Sequence, residues 1–159
     1  MTATSGDRIV VGIDGSEPSV EALRWAAEQA RLTNSRLEVV MAWQIPATFG
    51  LETLGGFSPS YEGLPPFDFA GTAQLILDTA VKEAIGEQAE LQIDRKVIEG
   101  HPAAVLIDRS VGARLLVVGS RGHGGFEGLL FGSVSEHVAG HAHCPVTVVR
   151  NVDSKPHKA

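Results

Sequence analysis

The sequence alternates between short apolar runs and longer segments of helical character, and this alternation constrains the fold more than any other feature. Branched apolar residues dominate Arg8–Asp14 (RIVVGID), Leu37–Trp43 (LEVVMAW) and Arg114–Gly119 (RLLVVG). Near-continuous runs of this kind are expected of strands buried on both faces of a parallel sheet. The pattern therefore predicts an α/β domain in which helices cover a central parallel sheet.

Between the apolar runs lie four predicted helices. Apolar residues recur there at spacings of three and four in the two longer segments, Ser16 is a suitable N-cap for the first, and Pro102 suits the first turn of the third. The predicted helices span Glu17–Thr33, Thr72–Glu90, Pro102–Val111 and Ser133–His141.

Two further strands complete a five-stranded sheet within one domain over residues 8–150. Leu91–Ile98 alternates apolar and polar residues, as expected at a sheet edge, and Pro145–Arg150 (PVTVVR) is the last strand. Residues 44–70 form a long connection rich in Pro, Gly and aromatics. Its aromatics could form a lid over a ligand or a surface that binds a partner. The alternative is a loop anchored by its own apolar side chains. Residues 1–7 are expected to be flexible and the polar tail 151–159 to be disordered.

Two segments rich in glycine and polar residues each follow a buried strand. Gly12–Ser16 follows the first strand, and Gly119–Gly125 follows the fourth. Ligands of open parallel sheets bind at the carboxyl ends of the strands, where the winding direction reverses. The two segments are therefore predicted to meet at one ligand-binding edge.

The spacing Gly119-x2-Gly122-x9-Gly132 indicates what that ligand is. A glycine at position 119 permits a sharp departure from the strand, because no Cβ obstructs it. Gly122, Gly124 and Gly125 let the backbone approach a ligand and direct successive N–H groups toward an anion. The segment predicts a phosphate site.

The helix that begins near Ser133 adds to this interpretation. Free N–H groups at a helix start favour an anion, and Arg121 and His123 supply further donors. The site lacks the lysine of a G-x-x-x-x-G-K-[ST] phosphate loop. An alternative without a ligand also fits, because Ser133 and Glu136 match the S-x-x-E capping box.

The same residues match the pattern G-x2-G-x9-G-[ST], through which the chain resembles the ATP-binding branch of the universal stress protein family. The likeness runs from IVVGIDGS through EGHPAAVLID and VVGSRGHGGFEGLLFGSVSEHV to CPVTVV. It implies an open, Rossmann-like parallel sheet of the adenine nucleotide alpha-hydrolase-like type, with strand order 3-2-1-4-5 and helices on both faces.

The resemblance also implies a function. The chain would bind ATP, with Mg or Mn carried by the phosphates, and act as a nucleotide-dependent regulator or sensor in stress response through an unknown protein partner. It would not be a fast enzyme, and no catalytic residue is assigned. The alternatives are binding of cyclic AMP or another adenine nucleotide, and slow ATP hydrolysis.

The resemblance assigns site residues position by position. Gly12 and Asp14 would face the adenosine part of the ligand, and the backbone of Ala42 and Trp43 would meet the adenine edge. The phosphates would be held by Gly119, Ser120, Arg121, Gly122, His123, Gly124, Gly125, Gly132, Ser133 and Val134. Asp14 alone also fits a simple turn residue before a helix, and Trp43 fits a core aromatic equally well.

Charge and cysteine content exclude several classes of protein. With 13 Lys and Arg against 19 Asp and Glu, the net charge of −6 argues against a general nucleic-acid binder. No apolar run approaches the length of a membrane span, so we expect no membrane partner. The single cysteine, Cys144, together with the lack of a recognisable signal peptide, predicts a cytoplasmic protein.

The remaining candidates concern metals and assembly. His137, His141 and His143 have a spacing that can hold zinc, but a solvated helix face is the simpler interpretation, so no protein metal site is predicted. A buried, inert thiol is the interpretation for Cys144. The apolar last strand, Pro145–Arg150, lies at the sheet edge in the implied order and predicts a homodimer. The alternative is a monomer in which the tail 151–159 folds back over this edge.

Overall fold

The computed structural model describes residues 6–45, 68–87, 90–120 and 131–150. Strands and helices alternate along these ranges. The strands are β1 (Arg8–Ile13), β2 (Arg36–Trp43), β3 (Ile93–Glu99), β4 (Leu115–Gly119) and β5 (Val146–Val149). The helices are α1 (Glu17–Thr33), α2 (Phe69–Ala84), α3 (Pro102–Ser110) and α4 (Ser133–His141).

The five strands form one parallel sheet in the order β3-β2-β1-β4-β5. This order confirms the predicted fold. The chain winds outward from β1 first through β2 and β3, and then in the other direction through β4 and β5. The winding therefore reverses between β1 and β4, which is where ligands bind in sheets of this class.

Helices cover both faces of the sheet, because successive strand residues point to opposite sides. Ile9, Val11 and Ile13 of β1 pack with α1 and α2 in one cluster, the α1/α2 core. Val10 packs with α3 and α4 in the other, the α3/α4 core. Both cores consist mainly of buried apolar side chains. The removal of these side chains from water is the main driving force for this fold.

Helix α1 begins where the sequence predicts it. The Ser16 hydroxyl oxygen accepts a hydrogen bond from the Ser19 N–H at 3.4 Å, which satisfies one of the free donors of the first turn. The helix ends at Asn34, whose left-handed backbone (φ 52°) lets its N–H bond back to the last turn.

Helix α2 differs from its predicted bounds of Thr72–Glu90 at both ends. It begins at Phe69, because Asp68 accepts a hydrogen bond from the Gly71 N–H at 2.8 Å and caps the helix. It ends at Ala84, close to Gly86, whose φ of 67° is not helical. Apolar periodicity identified the helix, but local capping sets its ends.

Strand β3 is the edge strand that the alternating pattern predicts. It pairs with β2 alone among the described strands. It begins at Ile93 rather than at Leu91, and Leu91 is buried at the end of the preceding loop instead of in the strand. A buried apolar residue just before a strand therefore cannot be distinguished by its sequence pattern from a residue of the strand itself.

Strand β5 forms the opposite edge, and within the described ranges it pairs only with β4. It covers Val146–Val149, one residue shorter at each end than predicted. All four of its residues are partly exposed.

No helix in the described ranges is long and apolar enough to cross a membrane. The predicted flexible residues 1–5, most of the 44–70 connection, and the tail 151–159 lie outside the described residues.

An ion-pair network around the buried carboxylate of Glu38 lies at the amino edge of the sheet. Glu38 of β2 receives two hydrogen bonds from Arg109 of α3, at 2.6 and 2.7 Å, and one from Arg8 of β1 at 2.9 Å. Burial by itself raises the pKa of the Glu38 carboxyl, but the hydrogen bonds from the two guanidinium groups together lower it by more. Its pKa therefore lies below the ordinary glutamate value.

Candidate functional site

The ends of β1 and β4 lie side by side at the carboxyl edge of the sheet. Val11 pairs with Val117, so Ile13 and Gly119, two residues further on, reach the same level. Helix α1 starts just beyond β1, and α4 starts beyond the segment that follows β4. The ends of the two strands that precede the glycine-containing segments therefore lie at one edge, where two helix starts direct N–H groups outward.

Gly119 lies against the first turn of α1. An ideal Cβ at this position would lie 2.9 Å from the Pro18 carbonyl oxygen and 3.0 Å from the carbonyl carbon. Both atoms belong to the backbone and cannot move aside as a side chain would. Packing of α1 therefore requires glycine here, in addition to any role with a ligand.

Gly12 has a different neighbour. A Cβ there would lie 2.6 Å from Cδ1 of Leu106 on α3, so the Leu106 side chain occupies the space beside the glycine. That space belongs to the α3/α4 face. Any contact of Gly12 with a ligand would have to come from its backbone.

A joint of hydrogen bonds connects β4 to α4 and brings the two ends of the glycine motif together. The Gly132 N–H donates to the Ser120 carbonyl oxygen at 2.6 Å, and the Ser135 hydroxyl contacts the same oxygen at 3.1 Å. Ser135 also contacts the Gly132 carbonyl oxygen at 2.9 Å. Residues twelve positions apart in the sequence are therefore held in direct contact at the predicted phosphate site.

The capping-box alternative for Ser133 is wrong. The N-cap of α4 is Gly132, which has no side chain to cap the helix, and Ser133 is the first helical residue. A capping box needs the serine at the N-cap, so Ser133 and Glu136 are out of register for it. Ser133 is exposed, whereas the next residue, Val134, packs against the α3/α4 core.

Asp14 lies in a tight turn between β1 and α1. Its Oδ1 accepts hydrogen bonds from the Ser16 N–H at 2.9 Å and from the Ser16 hydroxyl. Its own N–H donates to the Ser19 hydroxyl at 3.3 Å, and that hydroxyl donates to the Ser16 carbonyl at 2.8 Å. The residue has the geometry of a turn residue, and the same bonds orient its carboxylate at the carboxyl edge.

Peptide groups along β2 point alternately toward its two neighbours. The Arg36 N–H donates to the Asp7 carbonyl on the β1 side at 2.8 Å. The Leu37 N–H donates to the Gln92 carbonyl on the β3 side at 2.9 Å. Since the direction changes at each residue, even-numbered residues of β2 face β1 and odd-numbered ones face β3.

This alternation separates the two residues predicted to meet adenine. Ala42 directs its N–H and C=O toward β1, and the paired register of β1 and β2 ends one residue earlier, at Ile13 and Met41. Trp43 faces β3, where its carbonyl accepts the Gly100 N–H at 2.8 Å. The Trp43 ring packs, partly buried, against the α1/α2 core. Only the Ala42 peptide is therefore presented toward the β1 side of the edge.

Sequence reasoning missed Ser19 and Ser135 as site residues and treated Ser16 only as a cap. All three hydroxyls bond to groups at the carboxyl edge. The D-x-S spacing before α1 carried a usable signal, because an aspartate often bonds the N–H two residues on. The predicted residues Arg121, Gly122, His123, Gly124 and Gly125 lie outside the described residues.

The metal and thiol candidates lie away from this edge. The rings of His137 and His141 stack with centroids 4.5 Å apart. Across the described ranges, no group of three or more His, Cys, Asp or Glu side chains is placed to hold a metal ion. Burial raises the pKa of the Cys144 thiol, which disfavours its reactive thiolate form.

Comparison with known proteins assigns the chain to a family. The family model described as the universal stress protein family matches residues 6–150. The chain belongs to the universal stress protein family. The universal stress protein Rv2623 of Mycobacterium tuberculosis is 36% identical over 145 residues, which cover 89% of this chain and 44% of that protein. A universal stress protein of Mycolicibacterium smegmatis is 31% identical over 142 residues, covering 89% and 45%.

This universal stress protein thus spans about half the length of the curated relatives it matches. Solved structures support the fold. The universal stress protein UspA from Lactobacillus plantarum aligns with a TM-score of 0.69 at 19% identity, covering 94% of this chain and all of that one. A universal stress protein in complex with cAMP aligns with a TM-score of 0.57 at 25% identity, covering 91% and 97%.

Proposed function

We propose that this universal stress protein binds ATP at the carboxyl edge, between the ends of β1 and β4 and the starts of α1 and α4. The observation that carries the proposal is the hydrogen bond from the Gly132 N–H to the Ser120 carbonyl, which holds both ends of the glycine motif at one place. An anion placed beside the start of α4 would meet N–H groups that no side chain caps.

The adenosine part of the ligand fits the other half of the edge. Asp14 presents its carboxylate beside the end of β1, where ribose hydroxyls can donate to it. The Ala42 carbonyl faces β1 beyond the last paired residues, Ile13 and Met41, and offers an acceptor to the adenine amino group. Magnesium or manganese would enter with the phosphates, since the described residues offer no cluster of metal ligands.

Cyclic AMP is the second candidate ligand. Its support is the neighbour solved with cAMP, which is 25% identical to this chain over most of its length. Backbone N–H groups recognise a phosphate without counting how many phosphates follow it. The two ligands therefore share the adenosine part of the site and differ only toward α4.

We propose a regulatory role, in which the ATP-loaded state signals to a protein partner, rather than fast catalysis. A general base needs a carboxylate or imidazole free to take a proton from the nucleophile. Asp14 is a titratable group beside the end of β1, and its Oδ1 already accepts two hydrogen bonds from Ser16. Slow hydrolysis is the enzymatic alternative.

We also propose a cytoplasmic homodimer. The location rests on the single cysteine of the sequence. The dimer rests on β5, whose outer backbone groups have no partner strand in the described part of the chain. Antiparallel pairing of two copies about a two-fold axis would satisfy those groups.

The ligand is identified by mass spectrometry of the nucleotide released from freshly purified protein, followed by calorimetric titration of ligand-free protein with Mg-ATP, cAMP and GTP. We expect ATP in the released fraction and binding of ATP but not of GTP. Binding of cAMP alone would make the second candidate the ligand. If no adenine nucleotide binds at millimolar concentration, the proposal is wrong.

A further inference from the structure

We infer that His137 and His141 form a two-imidazole binding site for a divalent transition-metal ion such as zinc, on the exposed side of α4. The two residues are four positions apart on one helix, so their side chains lie on the same face. Both are exposed, and their rings stack with centroids 4.5 Å apart. The site lies further along α4 than the proposed phosphate contacts at the helix start, and it does not depend on them.

A hydrogen bond at His141 determines which ring nitrogen is open to a metal. Nδ1 of His141 lies 3.0 Å from the His137 carbonyl oxygen. Because a carbonyl oxygen only accepts, Nδ1 carries the proton, and the neutral ring keeps its lone pair on Nε2. Histidines that bind metals commonly donate their other N–H to a carbonyl in this way, which fixes the tautomer and the ring direction. Nε2 of His141 is therefore available as a metal ligand.

Packing of α4 against the sheet keeps the two histidines on the outer side of the helix. Val138, the neighbour of His137, is fully buried in the α3/α4 core, and Ser135 is also buried. The Ala142 N–H donates to the Val138 carbonyl at 2.9 Å, which continues the helical hydrogen bonding past His141. The backbone that carries both imidazoles is therefore anchored from the buried side.

The space around the pair accommodates a metal ion and its water ligands. An ideal Cβ on Gly140, the residue before His141, would meet no atom of the surrounding structure within 4 Å. Zinc–imidazole bonds are about 2.0–2.1 Å long, so two nitrogens on one zinc lie roughly 3 Å apart. Rings with centroids 4.5 Å apart reach that separation by a small rotation of exposed side chains.

The donor set decides which metal ions fit. Within the described ranges, no group of three or more His, Cys, Asp or Glu side chains is placed to hold a metal, so water occupies the other positions. A site of this kind binds more weakly than a structural zinc site with four protein ligands. Imidazole nitrogens suit zinc, nickel and copper, whereas magnesium takes oxygen ligands.

The first measurement is nuclear magnetic resonance of the full chain, free of nucleotide, during titration with zinc chloride. We expect the Nδ1–H tautomer at His141 in the metal-free protein. Added zinc should shift the ring nitrogen resonances of both His137 and His141. An Nε2–H tautomer at His141, or unchanged resonances of both rings at millimolar zinc, would overturn the inference.

The second measurement is calorimetric titration of the same protein with zinc chloride. We expect one zinc per chain and no binding of magnesium. His137→Ala and His141→Ala should each weaken zinc by about tenfold or more, because the second imidazole binds in an intramolecular step. Native affinity in either variant would show that the two rings do not share a metal.

Two variants test the nearest other ligands along the chain. His143 and Cys144 follow the pair closely, and the Cys144 thiol donates to the Pro145 carbonyl at 3.3 Å. His143→Ala and Cys144→Ser should both keep the native affinity for zinc. Loss of zinc binding in either variant would contradict the assignment to His137 and His141.

Affinity for ATP separates this inference from the proposed function. His137→Ala should bind ATP as the native protein does, since the proposed nucleotide contacts lie at the start of α4. Zinc binding without ATP binding would contradict the proposed function alone. ATP binding without zinc binding would contradict the metal site alone.

Discussion

Gly119 and Pro18 are in contact so close that only hydrogen fits on the glycine: a Cβ there would lie 2.9 Å from the Pro18 carbonyl oxygen. The end of β4 and the start of α1 thus fix each other's position. This edge of the sheet is therefore fixed by backbone contact rather than by side chains that can move aside.

Gly119→Ala should therefore destabilise the protein by about 1–3 kcal/mol, the usual effect of forcing an extra methyl group into a packed site. Gly12→Ala is the comparison, because its new methyl group would meet the flexible end of Leu106 instead of backbone. We expect it to cost less. Urea denaturation of both variants measures the difference, and an equal or smaller loss for Gly119→Ala would contradict the described packing.

Ser135→Ala should lower the free energy of unfolding by about 1 kcal/mol, the typical contribution of a hydrogen bond. The variant removes the hydroxyl that contacts the carbonyl oxygens of Ser120 and Gly132. Ser133→Ala should change stability by less than about 0.5 kcal/mol, because Ser133 is exposed and does not cap the helix. A larger loss in Ser133→Ala than in Ser135→Ala would indicate that the serine roles are reversed.

Glu38→Gln should destabilise the protein and flatten its response to acid. Because the pKa of Glu38 is lowered in the folded state, its contribution is full above the ordinary value of 4.5 and is lost as pH falls through the lower folded value. We expect a loss of about 3 kcal/mol at neutral pH, at the lower end for a buried pair since Arg109 is partly exposed. Denaturant titrations between about pH 7 and about pH 3 span the ordinary glutamate pKa. The difference in the free energy of unfolding between the native protein and the variant should become smaller toward acid.

Gly122→Val should abolish the stabilisation that ATP gives while leaving the protein folded. ATP at a hundred times its dissociation constant adds about 2.7 kcal/mol, which corresponds to a rise in melting temperature of several degrees. A Cβ-branched residue would block backbone approach to phosphate. Circular dichroism checks the fold, and unchanged ATP affinity in the folded variant would remove Gly122 from the site.

Val148→Pro should convert the proposed dimer into a monomer. Val148 lies in the edge strand β5, paired on one side with Val118, and proline removes an N–H and resists pairing. Light scattering at roughly tens of micromolar protein, a concentration that suits ordinary dimer dissociation constants, measures the mass of the native protein and of the variant. A native protein of monomer mass would end the dimer hypothesis.

The sequence predicted the sheet well because its signals are strong and local. Buried runs such as Arg8–Asp14 have few alternatives to a central strand, and the chain order of strands and helices then restricts the topology. The ends of α2 were predicted less well. They depend on Asp68, which caps the helix from a position four residues before the predicted start at Thr72, and on the conformation near Gly86.

The candidate site was predicted at the level of segments and less well at the level of atoms. The meeting of Gly119 and Gly132 follows from the resemblance, but nothing in the residue types shows that Ser135 contacts the joint between them. The difference between Ala42 and Trp43 depends on the direction of each peptide group, which is set by strand register. Register is a tertiary property that a single sequence does not display.

The ion-pair network around Glu38 affects how long the native state survives. Arg8 and Arg109 donate to Glu38, and Arg8 also donates to the Arg109 carbonyl oxygen, so these bonds join residues 30, 71 and 101 positions apart. Such bonds require β1, β2 and α3 to be assembled. Contacts that are absent from the folding transition state slow unfolding and leave the folding rate nearly unchanged. We therefore expect removal of the network at the amino edge to raise the unfolding rate in the unfolding limb of a chevron plot and so to shorten the native lifetime.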